Sequence, residues 1–219
     1  MNGSFSIIQR GAVILCGGDS RRMGRDKASL PFGGETLLER IVRLVSEAVP
    51  IENIMVVAGV DQELPPLPAN VRVLRDAEKG RGPLPAMVEG LAALVGSADA
   101  AFITGCDTPL LNPAVVSFLF DRLHADSRAD AVVPADGERM YPLTSVCRTR
   151  SVQAFKEAIS TGVRSLHGAL RPPGLTVRRI HLNDLRSVDP QLDSLLNCNA
   201  PADYDAAMLR LQAQRAASQ

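Results

Sequence analysis

The chain has 219 residues and equal numbers of basic and acidic side chains, 24 Lys and Arg against 24 Asp and Glu. Because the overall charge is balanced, attraction for an anionic partner has to come from local clusters, which argues against a general nucleic-acid-binding surface. Hydrophobic residues make up 46% of the chain and aromatic residues 4%. This composition excludes a disordered or fibrous protein and favours a core of alternating strands and helices.

The four cysteines lie far apart in the sequence and form no C-x-x-C pair. Their distribution is typical of reduced, semi-buried cysteines in a cytosolic protein. The apolar stretch at residues 12–16 is too short to span a membrane, and two glycines and a charged loop follow it at once. Neither a signal peptide nor a membrane anchor is predicted, and we expect a cytoplasmic protein without a membrane partner.

Short apolar runs alternate with longer segments of helical period, as in βαβ units around a parallel sheet. GAVILCGG predicts a first strand that is buried on both faces, and Thr36 and Glu39 predict a capping box at the start of the next helix. Further strands are predicted in NIMVVAG, VRVLRD, DAAFITGCD, ADAVVPA, PLTSVCR and LTVRRIHL. Further helices are predicted in PAMVEGLAALV, AVVSFLFDRLHA, residues 152–159, a short segment near Ser165, and NCNAPADYDAAMLRLQAQR.

The loop after the first strand, within LCGGDSRRMGRDK, is the first candidate binding site. In open parallel sheets ligands bind beyond the carboxyl ends of the strands. Glycines here let the backbone approach a ligand and present N–H groups to an anion, while the arginines and Lys27 supply positive charge. The loop is neither a Walker A loop nor a G-x-G-x-x-G turn. An exposed surface loop without a binding role is the alternative.

Three further places carry polar side chains just after predicted strands or before the last helix. Asp76 is the last residue of VRVLRD, at the end of a predicted strand, although a turn or cap role would also explain it. Asp107 ends a buried strand, where it would either cap the turn into the next helix or hold Mg²⁺ opposite a phosphate-binding loop. Asn197 and Asn199 would hold a polar ligand, and Asn199 alone is also explained as a helix N-cap before Pro201.

The three histidines are isolated and have no metal-ligand spacing with a cysteine. No Ser-His-Asp or Cys-His arrangement can be read from the chain. The candidate sites instead contain cations, glycines, carboxylates and amides. This set suits nucleotidyl or phosphoryl transfer, in which catalysis consists mostly of positioning and charge neutralisation.

The motifs LCGGDSRRMGRDKASLPFGGETLLERI, GPLPAM, GCDTPLL, YPLTSVCR and NCNAPADY follow one another in this order. Together they resemble the MobA-like nucleotidyltransferases over nearly the whole chain. The resemblance implies one domain over residues 1–219 with a three-layer, Rossmann-like α/β fold and a mostly parallel central sheet. It further implies a nucleotide-binding half at residues 1–110 and an acceptor-binding half at residues 111–219.

Within that family the chain resembles the molybdenum cofactor guanylyltransferases, which transfer GMP from Mg-GTP to the phosphate of molybdopterin and release pyrophosphate. By position, the implied nucleotide-binding residues are Leu15, Gly17, Gly18, Arg22, Lys27, Asp76 and Asp107. The resemblance implies a catalytic role for Arg22, Lys27 and Asp107, with Mg²⁺ held by Asp107. It implies that Asn197 and Asn199 face the molybdopterin acceptor.

Two positions depart from the family pattern, and several functions stay open. Cys16 stands where Ala is frequent, and Pro85 replaces a small residue, which would reshape the turn beside the base. Relatives of the same fold transfer CMP to molybdopterin or act on sugar or polyol phosphates, although Gly17 and Gly18 favour guanine. A non-catalytic nucleotide-binding regulator would keep the same fold. Oligomeric state, and whether partner proteins deliver the cofactor or receive the product, also stay open.

Overall fold

The structure is a computed structural model that describes residues 8–17, 26–76, 81–171 and 174–217. Within these residues the strands are β1 (Arg10–Leu15), β2 (Pro31–Phe32), β3 (Glu35–Thr36), β4 (Ile54–Ala58), β5 (Arg72–Arg75), β6 (Ala100–Gly105), β7 (Ala131–Asp136), β8 (Arg139–Met140), β9 (Thr144–Arg148) and β10 (Val177–His181). The α-helices are α1 (Leu37–Ser46), α2 (Pro83–Ala92), α3 (Pro113–His124), α4 (Val152–Ser160), α5 (Leu166–Ala169), α6 (Leu182–Leu185) and α7 (Pro201–Ala217).

Eight of these strands form the central sheet, in which the order β10-β7-β9-β6-β1-β4-β5 is joined by β8 beside β7. Strand β9 runs antiparallel to both of its neighbours, β8 runs antiparallel to β7, and every other pairing is parallel. The carboxyl ends of β5, β4, β1 and β6 therefore meet at one edge of the sheet. We refer to it as the carboxyl edge. The remaining strands, β2 and β3, form a separate hairpin.

Successive residues of β1 point to opposite faces of the sheet, which produces three layers. Ala12 and Ile14 pack in a buried cluster that includes residues of α1 and α3, whereas Val13 and Leu15 pack in a second cluster with residues of α2 and α4. A Cβ atom on Gly90 of α2 would lie 2.6 Å from a methyl group of Val13. Glycine at this position lets α2 pack directly on β1.

The predicted α/β class with a mostly parallel sheet is confirmed. Helix α1 begins as predicted, because the Thr36 side chain accepts from the N–H of Glu39 while the Glu39 carboxylate accepts from the N–H of Thr36. Helix α2 begins at Pro83, two residues before the predicted start. Pro83 and Pro85 both lie in the first helical turn, where backbone N–H groups have no partner within the helix. Pro85 is therefore part of a regular helix start.

No helix in the parts of the chain described here is both long and apolar enough to cross a membrane.

Candidate active site

At the carboxyl edge, the backbone leaves β1, β4 and β6 side by side. The N–H of Cys16 donates to the carbonyl of Val57 at 2.8 Å, and the N–H of Cys106 donates to the carbonyl of Leu15 at 3.1 Å. These bonds continue the strand pairing one residue beyond β1 and β6. The side chains that come next in the sequence are therefore presented from a rigid base.

Three side chains that are distant in the sequence meet at this edge, and we refer to Lys27, Asp107 and Asn199 as the Lys27 cluster. The ammonium group of Lys27 donates to Oδ2 of Asp107 at 3.0 Å and to Oδ1 of Asn199 at 2.9 Å. Only 18% of the Lys27 side chain and 14% of the Asp107 side chain is exposed. Water screens such an enclosed pair less than it screens a surface pair.

Lys27 lies at the start of a short 3₁₀ helix, Lys27–Ser29, that is capped by Asp26. The Asp26 carboxylate also accepts from the side-chain amide of Gln62 at 2.9 Å. The same amide nitrogen donates to the carbonyl of Cys16 at 3.2 Å, while the amide oxygen accepts from the N–H of Gly59 at 2.9 Å. Gln62 thus joins the exits of β1 and β4 to the segment that carries Lys27. Sequence reasoning missed it because it lies in a loop without a periodic pattern.

Asp107 lies in a turn that two buried threonines stabilise. The hydroxyl groups of Thr104 and Thr108 are 3.0 Å apart, and Thr108 donates to the carbonyl of Gly105 at 3.1 Å. Helix α3 is capped by Asn112, whose side chain accepts from the N–H of Ala114. The alternative in which Asp107 caps that helix was therefore wrong. The Asp107 carboxylate instead accepts a hydrogen bond from Lys27.

The segment before α7 is attached to the same turn, because the N–H of Cys198 donates to the carbonyl of Asp107 at 2.8 Å. Asp203 accepts from the N–H groups of Asn199 and Ala200 at 3.0 and 2.8 Å. A carboxylate from within α7 thus accepts from the two backbone N–H groups that precede the helix, whereas the side-chain oxygen of Asn199 accepts from Lys27. The explanation of Asn199 as a simple N-cap was wrong. Asn197 is half-buried and precedes Cys198 in this segment.

The other predicted nucleotide-binding residues are divided between two places. Leu15 is buried at the end of β1, and Gly17 follows at the exit. The N–H of Gly17 faces the carbonyl of Val57 at 3.4 Å, so the expectation that it is presented to an anion is not met. A Cβ atom on Gly17 would lie 3.3 Å from the backbone nitrogen of Gly59, so the close approach of two strand exits favours glycine. Gly18 and Arg22 lie outside the described residues.

Asp76 is at the end of β5, three strands from the turn of Asp107 in the sheet order. Its N–H donates to the carbonyl of Ala58 at 2.8 Å. Its carboxylate lies 3.7 Å from the guanidinium of Arg81, which also pairs with Glu89 at 2.9 Å. The structure therefore places Asp76 at the same edge as the Lys27 cluster, where it pairs with Arg81.

Three buried cysteines, Cys16, Cys106 and Cys198, surround the turn of Asp107. A hydrogen bond with Cys106, together with burial, raises the pKa of Cys16 well above its ordinary value. Burial raises the pKa of Cys198 to about 12. Cys16 and Cys198 are therefore neutral at physiological pH and are poor nucleophiles. Lys27 and Asp107, in contrast, are charged groups beside this turn that a ligand could bind.

Residues 12–173 match the sequence model of the MobA-like NTP transferase domain. The chain belongs to the MobA-like NTP transferase family. It is 36% identical over 203 residues to a probable molybdenum cofactor guanylyltransferase of Mycobacterium avium, with 91% of this chain and 95% of that protein covered. The predicted family and enzyme class are thereby confirmed: the protein is a nucleotidyltransferase similar to molybdenum cofactor guanylyltransferases.

Solved structures of other proteins share this fold. Molybdopterin-guanine dinucleotide biosynthesis protein A from Archaeoglobus fulgidus aligns with a TM-score of 0.73 and 22% identity, covering 93% of this chain and 98% of that one. A Mycobacterium tuberculosis protein solved as a complex with manganese aligns with a TM-score of 0.59 and 15% identity, covering 91% and 98%. At these identities the likeness establishes the fold alone.

Proposed function

We propose that this nucleotidyltransferase transfers GMP from GTP to the terminal phosphate of molybdopterin and releases pyrophosphate. The observation that carries the proposal is the Lys27 cluster, in which a half-buried cation and carboxylate meet an exposed amide at the carboxyl edge of a MobA-like fold. The similarity to a probable molybdenum cofactor guanylyltransferase supports both substrates.

The ammonium group of Lys27 is suited to binding a triphosphate. Its ammonium group is held by two oxygen acceptors at 3.0 and 2.9 Å, and it is partly shielded from water. Phosphate oxygens are acceptors of the same kind with more charge, so they compete well for this ammonium group. In the proposed complex Lys27 neutralises the β and γ phosphates, and Arg22 adds a second positive charge from the preceding loop.

The residues at this edge fit a magnesium ion that arrives with the nucleotide. Mg²⁺ prefers one or two carboxylates together with phosphate oxygens and water. Asp107 offers one carboxylate, and within the described ranges no group of three His, Cys, Asp or Glu side chains is arranged to hold a metal. The manganese in the M. tuberculosis relative supports a divalent ion in this fold. When bound, Mg²⁺ would supply charge neutralisation, and Asp107 would hold it.

The proposed reaction needs no general base from the protein. A terminal phosphate has a second pKa of about 6, so the acceptor is already largely dianionic at neutral pH. The chain's task is to hold two polyanions in line at reacting distance against their repulsion. Cationic and amide side chains suit this task, and a histidine beside the reacting atoms is not required.

The remaining predicted residues take supporting roles in the proposal. Leu15, Gly17 and Gly18 contact the nucleotide from the exit of β1, and Asp76 lies on its base or ribose side. Asn197 and Asn199 face molybdopterin. The halves at residues 1–110 and 111–219 then bind nucleotide and acceptor, and the reaction takes place in the cytoplasm.

A transfer assay tests the proposal. Purified protein, Mg²⁺ and molybdopterin are incubated with GTP, CTP, ATP or UTP, and the products are identified by mass spectrometry. We expect molybdopterin guanine dinucleotide and pyrophosphate from GTP. A cytosine product would overturn the choice of base, whereas GTP binding without transfer of any nucleotide would point to a regulator and overturn the reaction.

A further inference from the structure

Helix α1 carries a charged side chain in an unusual environment. Arg40 is 7% exposed, and it is the one lysine or arginine that is buried among residues 8–17, 26–76, 81–171 and 174–217. Burial lowers the pKa of its guanidinium from the ordinary value, while Glu35 acts in the opposite direction. Burying a charge is costly unless the charge is paired and hydrogen-bonded, so the contacts of Arg40 are informative.

Arg40 makes three contacts, each to a different segment. Its Nε donates to the backbone carbonyl of Pro109, which lies two residues after Asp107 in the same turn. One terminal nitrogen pairs with Glu35 of β3 at 3.0 Å. The guanidinium carbon lies 5.3 Å from the ring centroid of Phe32, in β2.

The Phe32 ring extends this contact to the segment that carries Asn199. Phe32 and Tyr204 pack edge to face with ring centroids 5.8 Å apart, and the Tyr204 hydroxyl donates to the carbonyl of Pro31. Tyr204 belongs to the first turns of α7, five residues after Asn199, and Phe32 lies five residues after Lys27. The Arg40 guanidinium therefore contacts the turn that carries Asp107 and the hairpin that follows Lys27. Through the Phe32 ring it is also connected to the helix that follows Asn199.

We propose that Arg40 is a positioning residue, which fixes the turn of Asp107 relative to Lys27 and Asn199. The inference rests on the proposed function of that cluster. In this proposal Arg40 acts through the Pro109 carbonyl that it binds, and through that carbonyl it fixes the direction in which the Asp107 carboxylate points. Transfer between two anions depends on such positioning, since a displacement of about 1 Å can cost about 100-fold in rate.

The same helix provides a matched control. Arg43 also binds Glu35, at 2.8 and 3.1 Å, and its hydrogen bonds are the main reason why the pKa of Glu35 is lowered. Its side chain is 49% exposed, and its other ion pair is with Glu47, also on the solvent side. Arg43→Met removes one partner of Glu35 but no contact to the Asp107 turn.

The test compares Arg40→Met, Arg40→Lys and Arg43→Met in steady-state transfer. For Arg40→Met we expect kcat to fall about 10- to 100-fold with the KM for GTP changed less than about threefold. Arg40→Lys keeps the charge near Glu35 but lacks the fork that reaches Pro109 at the same time, so the melting temperature recovers more than kcat does. Arg43→Met should leave kcat within about twofold. If Arg40→Met does not fold, the contrast between Arg40→Lys and Arg43→Met decides.

Hydrogen exchange keeps this inference separable from the proposed reaction. We expect Arg40→Lys to speed amide exchange in peptides that cover residues 105–111 and 198–204, and Arg43→Met to leave both unchanged. If the wild-type protein had no transfer activity, the proposed function would be rejected. The hydrogen-exchange comparison would still test whether Arg40 positions the turn of Asp107. Full kcat in Arg40→Lys, or unchanged exchange in both peptides, would overturn the positioning role.

Discussion

The two ends of β1 lie beside ion pairs of almost equal length in different surroundings. At its amino end Arg10 pairs with Asp121 of α3 at 3.1 Å, with side chains that are 29% and 72% exposed. Beyond its carboxyl end Lys27 pairs with Asp107 at 3.0 Å, with side chains that are 18% and 14% exposed. Arg10 also lies over the ring of Phe120, whereas Lys27 has an amide oxygen as its second acceptor.

The contrast shows that two ion pairs of almost equal length can differ strongly in their exposure to water. Exposed pairs contribute about 0–1 kcal/mol to stability because water screens them and their side chains lose entropy. A polar cluster shielded from water interacts more strongly with an incoming charge, and the carboxyl edge of a parallel sheet is where ligands bind. We therefore propose that the reaction takes place at the carboxyl end of β1, and we expect the pair at the amino end to be dispensable.

The largest effect is expected from Asp107→Asn. The amide keeps the shape of the carboxylate and an oxygen for Lys27, so the protein should fold and bind nucleotide weakly. Loss of the charge that holds the metal should lower Mg²⁺-dependent transfer on the order of a thousand-fold. Steady-state kinetics at saturating GTP measure this effect, and calorimetry with GTP alone provides the folding control. Near-normal turnover would contradict the metal assignment.

The next largest effect is expected from Lys27→Ala. A hydrogen bond between charged groups contributes about 1.5–3 kcal/mol, so we expect GTP affinity to fall about 10- to 100-fold. GMP affinity should fall less than about threefold, because the proposed target of Lys27 is the β and γ phosphates. Calorimetric titration with each nucleotide makes the comparison. Equal losses for GTP and GMP would indicate that Lys27 has a structural role.

A smaller and more selective effect is expected from Asn199→Ala. One lost amide contact should raise the KM for molybdopterin about 5- to 10-fold and leave the KM for GTP within about twofold. The two KM values of the same variant serve as each other's control. A rise in the KM for GTP alone would place Asn199 on the nucleotide side and contradict its acceptor role.

The smallest effect is expected from Asp121→Ala at the amino end of β1. Thermal or denaturant unfolding should show a loss of less than about 1 kcal/mol, and transfer should stay within about twofold of the wild type. A tenfold loss of transfer would remove the contrast between the two ends of the strand.

Local pattern was enough to predict much of this fold. The capping box at Thr36 and the apolar strands depend on neighbours in the sequence, and each was found where expected. The antiparallel direction of β9 and the short hairpin strands depend on pairing between distant segments, which no local pattern encodes. The meeting of Lys27 with Asn199, separated by 172 positions, is of the same kind.

Some site residues had a signal in the sequence and others had none. Lys27 and Asp107 each follow a strand and carry charge, so they were predicted without knowledge of their contact. Gln62 and Arg40 lack such a signal, because an amide in an irregular loop and an arginine in an amphipathic helix are usually exposed. Their importance depends on tertiary contacts with Cys16, Gly59 and Pro109.

A crystal structure with Mg²⁺ and a non-hydrolysable GTP analogue tests the central claim most directly. We expect the triphosphate to lie beside the ammonium group of Lys27, the metal to bind a carboxylate oxygen of Asp107, and the Arg10–Asp121 pair to be unchanged. A nucleotide bound away from the carboxyl edge, with the Lys27 cluster intact and no metal on Asp107, would contradict the account.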